Sequence, residues 1–198
     1  MKPFKKRRRG GTVAEFESAE AHLLASLTSQ VVELLRDRNS ESGSDPDPLA
    51  IQLGIGGPSL PPEDPVLQRL LPDAYRPGSY RDAAADAEEF RRLTERSLTS
   101  LKVQNAEAVL ASLIEGGLEP GLPKEGDPTV EVELDEAEVI AWLKALTDVR
   151  LSLAVRLGIE NEEDAQLVAH SDDESTLAMA EIYDWLGYVQ ESLVHTLD

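Results

Sequence analysis

The residues of this chain best suited to chemistry are its three histidines, His22, His170 and His195, and none stands at metal-ligand spacing from another. Glu191 and His195 fall at i, i+4 and read as a surface contact on a helix. His170 is followed by Asp172, Asp173 and Glu174, but acids in that position also serve to cap a helix, and no loop motif supplies the converging oxygens that a hard cation needs. The chain has no Cys, which excludes disulfides, thiolate metal sites, Cys nucleophiles and thiol redox switching within it. No Gly-x-Ser-x-Gly elbow or Ser/His/Asp grouping is present. The run Leu53-Gly54-Ile55-Gly56-Gly57-Pro58 imitates a phosphate loop without its Lys-Ser/Thr pair, preceding strand or following helix. The sequence therefore predicts no enzyme, no bound metal and no cofactor.

The side chains that remain are those of recognition. Arg91 and Arg92 sit in Glu89-Phe90-Arg91-Arg92, where Phe90 is expected to enter the core and leave an Arg at its margin. Asp184 lies between Tyr183 and Trp185. A bidentate Arg–Asp184 pair would fix two helices in register. Alternatively Arg91, Arg92, Tyr183, Asp184, Trp185 and Tyr188 form an interaction patch, since Arg and aromatic residues are enriched at protein interfaces. With nine aromatic residues in all, the four between 142 and 188 mark that region as the expected contact surface. At 100° per residue Trp185 aligns with Ile182 and Val189, so Tyr183 is the aromatic expected to point outward.

Charge bears on the choice of partner. The formal net charge is −19 over 198 residues, and six of the 19 basic residues are gathered in Lys2, Lys5, Lys6, Arg7, Arg8 and Arg9. A body this acidic repels phosphate backbones, so nucleic acid is an unlikely partner except through that basic arm at residues 1–9. The arm does not open a secretory signal, because Glu15, Glu17 and Glu20 interrupt the apolar run that one requires. No window is apolar enough to span a membrane, and a cytoplasmic protein is expected.

The elements that must position these residues read as a mainly α fold: a helical bundle of about six helices with a small two- or three-stranded β element near the N-terminus, in one domain over 1–198. A hairpin turning at Gly10-Gly11 is followed by a helix capped by Ser18, whose Leu23, Leu24, Leu27, Val31, Leu34 and Leu35 recur every three or four residues. Residues 39–65 carry so many Gly, Pro and Ser breakers that a flexible excursion is expected there. Val66, Leu67, Leu70 and Leu71 form a turn of helix stopped by Pro72. Residues 82–115 read either as one kinked helix or as two, with Thr94 capping the second, and two is the preferred reading. Val130, Val132 and Leu134 alternate with glutamates as a half-buried strand, and Asp135 with Glu138 starts the next helix, which ends at Gly158. A short acidic helix spans 161–170. Ser171 with Glu174 is expected to cap the last one, which lines Ala178, Ile182, Trp185, Leu186, Val189, Leu193 and Leu197 on its apolar side, with Gly187 implying a close approach.

At Leu70-Leu71-Pro72-Asp73-Ala74-Tyr75, Glu89-Phe90-Arg91-Arg92-Leu93-Thr94-Glu95 and Tyr183-Asp184-Trp185-Leu186-Gly187-Tyr188-Val189-Gln190-Glu191 the chain resembles an actinobacterial helical family catalogued as a domain of unknown function. The likeness covers almost the whole chain. It implies a small cytoplasmic helical protein; some members are described as oxidative-stress-sensing transcription regulators acting through a sigma factor, and others are encoded near the Clp-protease adaptor. Cysteine-based sensing in such members has no counterpart here.

Two readings of function follow. The first is a regulatory or adaptor-like protein binding a partner protein, in transcription, stress response or Clp-linked proteolysis as the resemblance implies. The second is a nucleic-acid-associated factor using the basic arm. Phosphate neutralisation predicts a steep loss of affinity with salt, and an apolar helix-face contact a shallow one.

Overall fold

The computed structural model describes residues 1–8, 10–40, 58, 60–74, 83–124 and 126–197. Their order is β1 (Lys2–Lys6), β2 (Thr12–Phe16), α1 (Ser18–Ser40), α2 (Pro65–Leu70), α3 (Ala83–Glu115), β3 (Val130–Leu134), α4 (Glu136–Leu157), α5 (Glu162–Ala169) and α6 (Glu174–Val194). The fold is mainly helical, with six helices and a small three-stranded sheet among the described residues.

The sheet is antiparallel in the order β1-β2-β3. Gly10 and Gly11, at φ 95° and 80°, turn the chain between its first two strands, and the amide of Arg7 closes the loop by donating to the Gly11 carbonyl at 3.0 Å. Proline at position 3 cannot donate to the ladder, and the β1–β2 register shifts between Lys2 and Lys5. β2 and β3 pair without a shift, Ala14 opposite Val132. Alternation then sends Val130, Val132 and Leu134 inward and Glu131 and Glu133 outward, as their spacing in the sequence requires.

The inner face of the sheet meets α4 through three rings. Trp142 is fully buried, with its ring centroid 5.4 Å from Phe4 and 6.1 Å from Phe16, and its indole N–H donates to Ser112 Oγ at 2.8 Å. Around this centre α3 packs on α1 and α4, α2 on α4, and α6 on α4, α5 and β1. Because Phe4 belongs to the core, the segment read as a basic arm is a structural strand whose centre is buried. Each fully buried Leu or Phe of this kind contributes about 1.5–3 kcal/mol.

Caps set the helix limits. Asp135 and Glu138 form the expected capping box, Asn161 and Asp164 form another, and Gly158 ends α4 in the left-handed conformation at φ 70°. Gly117, at φ 104°, ends α3 with Leu118 N–H donating to the Leu113 carbonyl. Its neighbour Gly116 accepts a bond from the Glu131 amide at 3.1 Å, and a Cβ there would lie 2.5 Å from the Glu131 oxygen, so only glycine lets α3 touch β3 this closely.

Several boundaries differ from the sequence reading. Residues 83–115 are one helix: Thr94 does not cap a second one but returns its hydroxyl to the Phe90 carbonyl at 2.7 Å, inside the continuous ladder. α1 runs to Ser40, beyond position 39, and Ser18 is its first residue, while the Glu17 amide donates to Glu20. Asp173, and not Ser171, caps α6. The expected excursion at 39–65 lies outside the described residues over 41–57 and at 59. Its C-terminal flank is built into the fold, with Asp64 capping α2 by accepting from Val66 and Leu67. Leu197, expected on the apolar face of the last helix, lies beyond its end and is exposed.

Candidate functional site

The arginine-bearing helix turns Arg91 inward and Phe90 outward. Phe90 is 43% exposed, contrary to its expected core position, and the buried stripe of this part of α3 is Arg91, Glu95 and Thr99. Arg91 donates to Asp73 Oδ1 through Nε at 3.1 Å and Nη2 at 2.5 Å, and also lies 3.9 Å from Glu95. Glu95 is itself bonded by Arg38 Nε of α1 at 2.7 Å, and Arg38 reaches the Leu60 carbonyl through Nη2 at 2.5 Å. The two arginines on Glu95 thus hold the start and the end of the segment that carries α2. Arg91 does form a carboxylate pair, but with Asp73. Arg92 is exposed.

The terminal helix has no part in that cluster. α3 packs on α1 and α4, whereas α6 packs on α4, α5 and β1, so Arg91 and Arg92 do not share a face with residues 183–188. Asp184 is exposed and forms no ion pair with Arg91 or Arg92. Tyr183, expected to point outward, is half-buried against the core, with the Arg150 guanidinium 4.8 Å from its ring centroid. Arg150 also donates to Gln190 Oε1 at 2.8 Å, and Gln190 Nε2 donates to Thr147 Oγ1 at 2.7 Å, which locks α4 to α6. Gly187 makes room for this: the nearest atom to a Cβ there would be Arg150 Nη2 at 3.4 Å. Sequence reasoning missed Arg150, though Gly187 was the signal for a close neighbour. Trp185 is half-buried, and its indole N–H is shielded without a hydrogen-bond partner among the described residues.

Tyr188 is the aromatic of α6 that faces solvent, 49% exposed. It occupies the middle of a surface stripe at 3-4-3-4 spacing, Glu181, Asp184, Tyr188, Glu191 and His195, all exposed. Of the aromatics singled out between 142 and 188, Trp142 is core, Tyr183 and Trp185 are half-buried, and Tyr188 alone is available for contact. This stripe of α6 is the candidate site.

Two of the arm's six basic residues, Lys2 and Arg7, are answered from within the chain. Lys2 bonds Glu15 at 2.7 Å, and Arg7 bonds Glu131 at 2.5 Å and Glu133 at 2.7 Å across the outer face of the sheet. The Lys2 bond, set against slight desolvation, holds the Glu15 carboxyl below the usual range. Lys5, Lys6 and Arg8 are exposed, and Arg9 lies outside the described residues.

The histidines are engaged as helix residues. His170 and His195 each place Nδ1 against the carbonyl four residues earlier, at 2.7 and 2.8 Å, and His22 lies between the Ser18 and Glu119 carbonyls at 2.8 and 3.2 Å. Among the acids after His170, Asp173 accepts from the Ser175 and Thr176 hydroxyls and the Thr176 amide, in that order of effect, which holds its carboxyl low. No helix of the described residues is long and apolar enough to cross a membrane.

Comparison with known proteins places this chain in a family. It belongs to the family described as Domain of unknown function (DUF2017), whose model matches residues 1–197. It is 36% identical over 182 residues to the oxidative stress regulator AosR of Mycobacterium tuberculosis H37Rv, covering 90% of this chain and 78% of that protein. The same identity and coverage hold for the protein of that name in Mycobacterium bovis. No solved structure matches.

Proposed function

We propose that this member of the family is a stress-response regulator that works by binding a partner protein, without catalysis, and that transcription is the process it adjusts. The observation that carries this reading is the 36% identity, over 90% of the chain, to proteins named oxidative stress regulator. The exposed Tyr188 amid carboxylates supports binding, because a large aromatic held on a rigid helix costs little ordering entropy when a partner covers it. These residues include no cysteine, so no thiol among them receives an oxidant signal.

The nucleic-acid reading through Lys5, Lys6, Arg7, Arg8 and Arg9 is less well supported. Arg7 is already committed to two glutamates, and a phosphate would have to displace them.

The test is to delete the gene in its host, challenge with peroxide, and compare transcripts with those of the complemented strain. A peroxide response that depends on the chain supports the reading. An unchanged transcript response removes transcription, and a change confined to protein turnover would favour the Clp-linked alternative.

A further inference from the structure

The C-terminal helices carry a charge that no Lys or Arg among the described residues pairs. From residue 157 to 198 there is no Lys or Arg, while ten acids fall between 157 and 197. Among the described residues, none of those ten has an ion-pair partner; the pairs all involve acids elsewhere, such as Glu20, Glu107 and Asp148. The N-terminal sheet behaves in the opposite way, with Glu15, Glu131 and Glu133 each matched by Lys2 or Arg7. On α6 the unmatched charge is ordered: Glu181, Asp184 and Glu191 flank Tyr188 along one exposed stripe. Past His195 the chain reaches a cleft of about 340 Å³ whose apolar lining includes Leu134, Val139, Ile140 and Leu197.

We infer that this stripe of α6 is a docking surface for a basic amphipathic helix of a partner protein. Arg or Lys residues at three- and four-residue spacing would lie against Glu181, Asp184 and Glu191, and one would stack on the Tyr188 ring. An apolar residue at the end of that helix would fill the cleft beside Leu197. Charge complementarity argues for this occupant: an acidic or neutral helix would leave the carboxylates unanswered, whereas a basic one gains attraction along the whole stripe and is steered to it. The inference rests on the partner-binding reading and gives that partner's surface a chemistry.

The probe is a synthetic helical peptide with Arg in a 3-4 stripe around one central Leu, compared with a peptide of the same composition whose Arg residues are spread round the helix. Titrated against the full chain, the striped peptide should bind about tenfold tighter than the spread one, with affinity falling as salt rises. Glu181→Lys with Asp184→Lys should weaken it about tenfold or more, and Tyr188→Ala by a comparable factor. Glu33→Lys with Asp37→Lys, an equal charge change on exposed positions of α1, should alter it less than about twofold. Equal binding of the two peptides, or equal loss from both charge reversals, would mean that only net charge is felt and would overturn the proposal. So would self-association of the chain abolished by Glu181→Lys, which would make the occupant a second copy. Failure here with the peroxide phenotype intact removes the surface and leaves the regulatory reading standing; binding without the phenotype does the reverse.

Discussion

Arg38 Nε donates to Glu95 Oε1 at 2.7 Å, joining α1 to α3 where the two side chains are only 7% and 4% exposed. With Arg91 on the other side of Glu95, the carboxylate is the shared anchor for both ends of the segment that carries α2. Replacing it by Gln leaves two arginines without that charge, and removing one member of a buried ionic group costs about 3–5 kcal/mol. Glu95→Gln should therefore lower the urea midpoint sharply, and Arg91→Ala should also destabilise. Arg92→Ala, on the exposed side, should leave the midpoint unchanged.

The partly buried pair of Lys102 and Asp148 makes a prediction about pH. Burial raises the Asp148 carboxyl above its usual range, and the bond from Lys102 Nζ at 2.6 Å opposes that rise. A carboxyl raised in the folded state contributes stability that is present at low pH and lost as pH rises through its folded value. Lys102→Met removes the opposing cation, so its cost should be about 3–5 kcal/mol at neutral pH and shrink in acid, where Asp148 takes a proton. Urea unfolding of both proteins across that range checks this; a cost independent of pH would contradict it.

Asp173 titrates with the opposite sign. Its carboxyl is held low by the Ser175 and Thr176 hydroxyls and the Thr176 amide, so its contribution is present above the usual carboxylate value and lost as pH falls through the folded one. The first turn of α6 should fray in acid. Exchange of the Thr176 amide should accelerate on acidification beyond the intrinsic effect, and in Asp173→Ala it should be fast at every pH.

The cap residues explain what was legible in the sequence. Asp135, Glu138 and Gly158 act through local chemistry, so the limits of α4 and the alternation of β3 followed from spacing. The phase of α3 did not, because its buried stripe is polar: Arg91, Glu95 and Thr99 face inward while Phe90 faces out. Periodicity assumes that apolar residues point to the core, and a buried ion cluster inverts it. The same assumption sent Tyr183 outward, since its cover is Arg150, a charged residue from another helix whose stacking no pattern within α6 could announce.

Tyr183 and Tyr188 separate structure from recognition on one helix. Tyr183→Ala removes the face on which Arg150 stacks and should cost about 1–3 kcal/mol of stability. Tyr188→Ala should leave the thermal midpoint nearly unchanged. A stable Tyr183→Ala protein, or an unfolded Tyr188→Ala protein, would reverse the assignment of core and surface.

In the proposed role α6 presents a partner surface through which the chain serves the stress response. Its most direct test is complementation of the deletion strain under peroxide with three folded proteins of matched midpoint and abundance: the natural chain, Glu181→Lys with Asp184→Lys, and Glu33→Lys with Asp37→Lys. The natural chain and the α1 variant should restore survival, and the α6 variant should not. Restoration by the α6 variant to the level of the natural chain would contradict the claim.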